Sequence, residues 1–238
     1  GPEIRGRIGV VPQDDCLDRE LTVRENIFVY GRYFGLEKAV IRVRLERLLA
    51  FAQLQDKADA RVEMLSGGMR RRLTIARSLI NEPEILLLDE PTTGLDPQAR
   101  HVLWDRLYRL KADGVTLIIT THYMDEAEQL CDRLAVMDSG KIVAAGSPRE
   151  LIAAHVTREV LELRFAIDTQ KEVADRLRAA ELGQRIEVLP DRVLLYAGNG
   201  ETALSEVHAI GLEPITALVR RATLEDVFLK LTGRSLID

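Results

Sequence analysis

Residues 85–90 have the sequence Ile85-Leu86-Leu87-Leu88-Asp89-Glu90, an apolar run that ends in two adjacent carboxylates. Such a run is typical of a strand buried on both faces of a parallel sheet. Ligands of open α/β sheets bind at the carboxyl ends of the strands. We therefore expect Asp89 to hold Mg²⁺, directly or through water, and Glu90 to orient and deprotonate a water molecule. An ordinary solvent-facing strand end would carry the same residues, so this segment alone does not decide the function.

The segments around this run alternate between strands and helices. Val115–Thr120 predicts a second fully buried strand, and Ile8–Val11 predicts a shorter one that ends at Pro12. Leucines at helical spacing predict a helix over about Glu37–Leu54, and another begins at Ser66. This alternation predicts an α/β fold with a mainly parallel sheet, in a domain of residues 1–155 that contains a helical subdomain at about residues 20–80.

The pattern changes after about His155. The predicted elements then follow the order β-α-β-β-α-β, which is the ferredoxin-like plan. We interpret residues 156–238 as a small accessory α+β domain, closed by a helix that is capped at Thr223–Asp226.

Composition excludes several classes of protein. The formal net charge is −5, and the longest basic run, Arg70-Arg71-Arg72, is too short for a nucleic-acid footprint. We interpret that triplet as a solvated helix face. The two cysteines, Cys16 and Cys131, are far apart and predict neither a disulfide framework nor a metal site. No apolar run is long enough to span a bilayer, so a role at a membrane would need a separate partner.

Other polar residues follow the same logic as Asp89 and Glu90. Ser66, Gly67 and Gly68 open a helix, where free backbone N–H groups and the helix dipole favour an anion. His122 follows one predicted strand and Gln13 another, so both should lie at the carboxyl edge of the sheet. Each has an ordinary structural explanation when taken alone: an N-cap, a solvent-facing histidine and a loop glutamine.

The order of these motifs resembles the ATP-binding-cassette (ABC) family. Val11-Pro12-Gln13 is similar to the Q-loop of that family, Leu65–Met69 to its signature and Ile85–Glu90 to its Walker B motif. Gly94-Leu95-Asp96-Pro97 is similar to the D-loop, and His122 to the switch histidine. Thr121–Glu128 and Leu224–Leu229 further resemble the exporter branch, which includes nodulation-factor and daunorubicin-type exporters. Met69 departs from the commonest signature, which has Gln there.

The resemblance implies a function for each matched residue. It implies two ATPase subunits that enclose two ATP molecules with Mg²⁺, the dimer driving an integral membrane permease from the cytoplasmic face of the membrane. Asp89 and Gln13 would help to hold Mg²⁺, Glu90 would polarise water and His122 would hold the γ-phosphate. Ser66, Gly67 and Gly68 would contact the nucleotide of the opposite subunit, and Asp96 would couple the two sites.

The phosphate-binding loop of that family, G-x-x-x-x-G-K-[ST], is missing from the 238 residues. The expectation is N-terminal truncation, with a lost strand that would lie beside Val115–Thr120, and a fragment that is poorly stable and does not hydrolyse ATP. The alternative is a non-catalytic regulatory or binding module derived from an ABC ATPase. A chromosome-maintenance relative would need a long coiled coil between Gln13 and Ser66, where only two ordinary helices are predicted.

Overall fold

The structure, a computed structural model, describes residues 2–233. Contacts within the chain divide it into two compact units, one ending at His122 and the other beginning at Tyr123. Residues 123–155, which the sequence assigned to the ATPase domain, belong to the second unit by these contacts. The domain boundary near residue 155 stays a prediction. Residues 234–238 of the predicted accessory domain lie outside the described residues.

The first unit contains the predicted helices and strands, preceded by a short helix at Pro2–Gly6 that the sequence did not predict. Its elements are α1 (Pro2–Gly6), β1 (Ile8–Val11), α2 (Val23–Tyr33), α3 (Lys38–Ala52), α4 (Gly67–Ser78), β2 (Ile85–Asp89), α5 (Pro97–Ala112) and β3 (Thr116–Thr120), with short 3-10 turns at Gln55–Lys57 and Val62–Met64.

The three strands of the first unit form a parallel sheet in the order β1-β2-β3. Val11 pairs with Leu88, and Leu88 pairs with Ile119, so the three strands end at the same edge. Alternate side chains, such as Val11 and Leu86, are fully buried. This register brings the segments after each strand together, which positions the candidate site.

Strand β3 is less buried than its sequence indicated. Its side chains alternate between exposed and half-buried, and Ile118 is 51% exposed. Among residues 2–233, β3 has a strand neighbour on one side only, because it is at the end of the sheet order. Val10 on β1 pairs with Leu87, and Leu87 pairs with Ile118, so the three residues form one row across the sheet. Val10 is exposed, like Ile118, and one face of the sheet is therefore open along this row. The prediction of complete burial was therefore wrong for β3.

Side-chain caps set the starts of α2, α4 and α5. Thr22 and Glu25 form the predicted capping box at α2, each satisfying a backbone N–H that the helix leaves unpaired. The Ser66 hydroxyl accepts from the Met69 N–H at α4, and the Asp96 carboxylate accepts from the Ala99 N–H at α5. These caps fix where α4 and α5 begin.

The second unit contains a hairpin, a four-stranded sheet and five helices within its described residues. Its elements are α6 (Met124–Leu130), β4 (Leu134–Asp138), β5 (Lys141–Gly146), α7 (Pro148–His155), β6 (Glu159–Arg164), α8 (Gln170–Ala179), β7 (Arg185–Val188), β8 (Val193–Ala197), α9 (Gly200–Ala209), β9 (Thr216–Arg221) and α10 (Leu224–Thr232).

Strands β6–β9 form an antiparallel sheet in the order β7-β8-β6-β9, with the predicted element order β-α-β-β-α-β. One face carries an apolar core with side chains of α8 and α9, including Leu161, Leu177 and Val207. The C-terminal helix α10 begins with the predicted capping box of Thr223 and Asp226. Hydrophobic burial of this kind is the main stabilising term in a small domain.

A buried polar network fixes the first turn of α10. Asp226 is 1% exposed and accepts hydrogen bonds from Tyr196 at 2.8 Å and from Arg220 at 2.7 and 3.0 Å. Arg220 also donates to Glu162 at 2.6 Å. Burial alone would raise the pKa of Asp226, but the hydrogen bonds from Arg220, Thr223 and Tyr196 and the charge of Arg220 hold its pKa below the usual range.

None of the helices in residues 2–233 combines the length and the apolar character that a bilayer-spanning helix requires.

Candidate active site at the carboxyl edge of the sheet

The carboxylate of Glu90 is the centre of the site. Gln13 Nε2 donates to Glu90 Oε2 at 3.0 Å, and Thr93 Oγ1 donates to the same oxygen at 3.1 Å. His122 Nδ1 lies 3.2 Å from Glu90 Oε1. Three segments that follow β1, β2 and β3 therefore meet at one carboxylate, although they are far apart in sequence.

Asp89 lies beside this centre at the end of β2. Its Oδ1 accepts a hydrogen bond from the Thr120 hydroxyl, and the backbone N–H of Glu90 donates to the Thr120 carbonyl at 3.0 Å. The Asp89 residue is exposed, whereas Glu90 is half-buried. Asp89 is thus accessible to a cation, while Glu90 is held by protein partners on both of its oxygens.

The backbone of Glu90 is strained. Its φ is 43°, in the left-handed region that residues with a Cβ seldom adopt. For an L-residue this conformation costs about 1–2 kcal/mol. Strain of this kind is typical of functional sites, where the surrounding structure holds a residue in a defined orientation.

Arg71 holds the backbone on both sides of the site, contrary to our interpretation of the basic triplet. Its side chain is buried, with 5% exposure, and points into the unit. It donates to the carbonyl oxygens of Pro12, Gln13, Asp89, Glu90 and Pro91. The solvated-face interpretation was wrong for Arg71, because a guanidinium can satisfy several carbonyls at once and so be buried without an unpaired donor.

The signature and D-loop residues lie elsewhere in the first unit. Ser66, Gly67 and Gly68 open α4, and none of them forms a hydrogen bond with Gln13, Asp89, Glu90 or His122 within residues 2–233. A Cβ added at Gly68 would lie 3.6 Å from Ala99 and 3.7 Å from Leu95, next to the start of α5. Asp96 caps that same helix. The structure therefore brings the two N-termini of α4 and α5 close together, as a second cluster.

The donor set at the Glu90 centre suits a magnesium-bound nucleotide in part. Carboxylate and amide oxygens and hydroxyl groups are hard ligands of the type that Mg²⁺ binds. In residues 2–233 no group of three or more His, Cys, Asp or Glu side chains could enclose a metal ion. An ion held by Asp89 and Gln13 would therefore complete its coordination with water and phosphate oxygens, which is the usual arrangement for Mg²⁺.

Comparison with curated proteins decides the family. A protein named "Nod factor export ATP-binding protein I" from Ralstonia nicotianae is 50% identical over 238 residues, which are 98% of this chain and 73% of that protein. One of the same name from Rhizobium sp. (strain N33) is 50% identical over 98% of this chain and 74% of its own length. The chain belongs to the NodI-type ABC transporter ATP-binding subunits. The family pattern described as "ABC transporter" matches residues 1–93, and that of the "Nodulation factor export protein NodI, C-terminal domain" matches residues 171–233.

Solved structures of ABC proteins agree with this family. CbiO1 from Clostridium perfringens, which is part of the ABC transporter complex cbiONQ, has a TM-score of 0.59 and 29% identity over 74% of this chain and 65% of that chain. A dimeric ATP-binding cassette in a post-hydrolysis state bound to ADP and Pi has a TM-score of 0.55 and 30% identity, covering 61% of this chain and 65% of the other. The predicted α/β ABC fold with a parallel sheet is thereby confirmed.

Three residues at the site of this NodI-type subunit were not predicted. Thr93 and Thr120 hold the two carboxylates, and nothing in the local sequence distinguishes Thr93 from an ordinary loop residue or Thr120 from an ordinary residue at a strand end. Arg71 did leave a signal. It lies four positions before Ile75 on α4, and both residues are buried on the same helical stripe.

Proposed function

We propose that these residues bind and hydrolyse ATP in a NodI-type exporter, with Glu90 as the residue that orients and deprotonates the attacking water. The observation that supports this most directly is the convergence of Gln13, Thr93 and His122 on the Glu90 carboxylate. A general base needs to be held in one orientation within reach of its proton. Because Glu90 is fixed by partners on both oxygens, it is suited to this task.

The remaining residues of the proposed site have separate tasks. Asp89 and Gln13 would hold Mg²⁺, and His122 would donate to the γ-phosphate. Ser66, Gly67 and Gly68 would bind the nucleotide of a second subunit through the N-terminus of α4, and Asp96 would couple the two sites. Bound Mg²⁺ supplies neutralisation of phosphate charge.

We propose that the 238-residue chain is inactive without a phosphate-binding loop. No sequence of that type occurs among these residues, and such a loop supplies the backbone N–H groups and the lysine that bind the phosphates. Mg²⁺-dependent phosphate release by the purified 238-residue chain would contradict this proposal.

The decisive experiment is Glu90→Gln in the full-length subunit, meaning the natural gene product that contains residues 1–238. Glutamine has the size of glutamate but cannot accept a proton. General-base assistance contributes roughly 10²–10⁴-fold, so we expect kcat to fall by that factor while ATP still binds. Steady-state phosphate release and calorimetric titration with ATP measure the two effects.

Glu84→Gln is the matched control, because Glu84 directly precedes the same strand at its opposite end. We expect this control to keep its rate within about twofold, since surface substitutions away from a site have small effects. Turnover of Glu90→Gln at the unsubstituted rate would refute the assignment of Glu90. An unsubstituted full-length subunit without Mg²⁺-dependent ATP hydrolysis would instead favour the alternative of a regulatory or binding module.

We further propose that the subunit works as a homodimer on the cytoplasmic face of the membrane, bound to an integral permease. The names of the curated relatives state Nod factor export, so a lipo-oligosaccharide of that class is the first transport substrate to test. Co-purification of the full-length subunit with the permease, followed by transport into inverted vesicles, tests this proposal. Failure to co-purify and the absence of transport would contradict it.

We assign a ferredoxin-like fold to the accessory domain, in a dimer-contact or regulatory role. The strand order β7-β8-β6-β9 and the antiparallel pairing of neighbouring strands support this assignment. An experimental structure of the full-length subunit with a different strand order would refute it.

A further inference from the structure

Arg71 connects the two segments that carry the proposed catalytic residues. It lies on the second turn of α4, just after the signature residues, and its side chain is buried. Nη1 donates to the Pro12 carbonyl and to the Gln13 carbonyl at 3.1 Å. Nη2 donates to the Asp89 carbonyl at 2.7 Å and to the Glu90 carbonyl at 3.0 Å. One guanidinium therefore bonds to the backbone on both sides of the Gln13–Glu90 hydrogen bond.

Arg71 contacts the backbone at the strained residue Glu90 and at the residue that follows it. Glu90 has the left-handed backbone described above, and its own carbonyl is one of the acceptors of Arg71. The next residue, Pro91, accepts from Arg71 Nε at 2.8 Å. A strained residue keeps its conformation only if its surroundings over-determine it. Arg71 supplies part of that determination.

A lysine could not make the same set of contacts. Arginine presents several N–H donors in a rigid plane, whereas the lysine ammonium is a single point on a flexible stem. From one position, a lysine can reach the carbonyls of one segment, but it cannot bridge both with the same geometry. The contacts in the structure are therefore specific to arginine.

We propose that Arg71 is a positioning residue for ATP hydrolysis, which sets the orientation of Glu90 and Gln13 and links both to the helix that begins with the signature. This inference rests on the proposed function of Glu90. Arg71 donates to the backbone carbonyls of Gln13 and Glu90, so it acts through these two residues. Its loss would misplace the base and the metal-holding amide rather than remove a chemical group.

Arg72 offers a matched control on the same helix. Its Nη1 donates to the Ala52 carbonyl at 2.8 Å and to Gln53 Oε1 at 3.0 Å, at the end of α3. Arg72→Gln removes a helix-to-backbone hydrogen bond like those of Arg71, at a place where no proposed catalytic residue lies. A general loss of helix packing would affect both variants, whereas a loss of positioning would affect Arg71 alone.

The experiment compares Arg71→Gln, Arg71→Lys and Arg72→Gln in the full-length subunit. Because small misplacements in an active site can cost about 10²-fold in rate, we expect Arg71→Gln to lower kcat by about 10- to 100-fold. We expect its KM for ATP to change by less than about threefold, because Arg71 does not contact the nucleotide in the proposed site. Arg71→Lys should recover part of kcat, and Arg72→Gln should stay within about twofold of the unsubstituted subunit.

Hydrogen exchange gives a readout that does not depend on catalysis. In Arg71→Gln, amides of residues 11–15 and 89–93 should exchange faster, while those of α3 should not. Arg72→Gln should show the reverse pattern. If both variants lose kcat equally, or if Arg71→Gln keeps kcat within twofold, the positioning inference is refuted and the proposed function stands.

The two proposals can fail separately. An unsubstituted full-length subunit without Mg²⁺-dependent ATP hydrolysis would refute the proposed function, and with it a catalytic positioning role. In that case the exchange data still decide whether Arg71 orders the two segments. Unchanged exchange in residues 11–15 and 89–93 of Arg71→Gln would refute the structural link by itself.

Discussion

Neutralising the buried carboxylate of Asp226 should destabilise the second unit. Asp226→Asn keeps the shape of the side chain but removes the charge opposite Arg220, and it places an amide N–H₂ toward groups that are themselves donors. In the unsubstituted protein, the two carboxylate oxygens of Asp226 accept hydrogen bonds from Arg220, from Tyr196 and from the N–H and hydroxyl of Thr223. Whichever oxygen becomes the amide nitrogen, it faces at least one N–H of Arg220 or Thr223.

The expected loss of stability depends on the charge of Arg220, which remains after the substitution. Removing one partner of a buried ion pair costs about 3–5 kcal/mol, because the other charge stays buried. Arg220 is 26% exposed and keeps its hydrogen bond to Glu162 at 2.6 Å. It therefore retains a counterion, and we expect a loss at the lower end, about 3 kcal/mol.

Native-state hydrogen exchange of α10 in low urea is the suitable assay, since a protein of more than one unit need not unfold in a single step. Glu225→Gln is the matched control: it removes a charge from the same helical turn, but Glu225 is exposed. We expect that control to cost under about 1 kcal/mol, through the helix dipole. A loss below about 1 kcal/mol in Asp226→Asn would refute the claim that this network holds α10 in place.

Two further predictions concern stability. Burial would raise the pKa of Glu162 and of Asp226, but the hydrogen bonds and positive charge of arginine, with further hydrogen bonds from Thr223 and Tyr196 to Asp226, together hold both pKa values below their ordinary range. The stability that these two carboxylates contribute is therefore complete above the unfolded pKa values of about 4, and it is lost as pH falls below them. Hydrogen exchange of the α10 amides between pH 6 and 3 measures this loss. Protection of those amides that stays constant over this range would contradict the prediction. Gly9→Ala should destabilise the first unit by about 1–3 kcal/mol, because an added Cβ would lie 2.5 Å from the Ser78 carbonyl oxygen. Thermal unfolding tests this against Gly6→Ala, where a Cβ meets nothing within 4 Å, and equal shifts in the two variants would count against it.

The sequence by itself determined the order of helices and strands from β1 onward and the candidate residues at the strand ends. The apolar run before Asp89 predicted a strand, and parallel pairing then implied that Gln13, Glu90 and His122 would share an edge. The contacts of Glu90 with Gln13 and His122 agree with this. The capping boxes at Thr22 and Thr223 were also predictable, because they depend on residues three positions apart.

Only the tertiary structure decided the features that depend on distant partners. The burial of Arg71 requires carbonyls from two separate segments, which no local pattern contains. The open face along Ile118 depends on which elements cover the sheet, and the left-handed backbone of Glu90 depends on what holds it. Local sequence sets hydrogen bonds and apolar faces within a few residues, whereas burial and strain are set by neighbours that come together only when the chain folds.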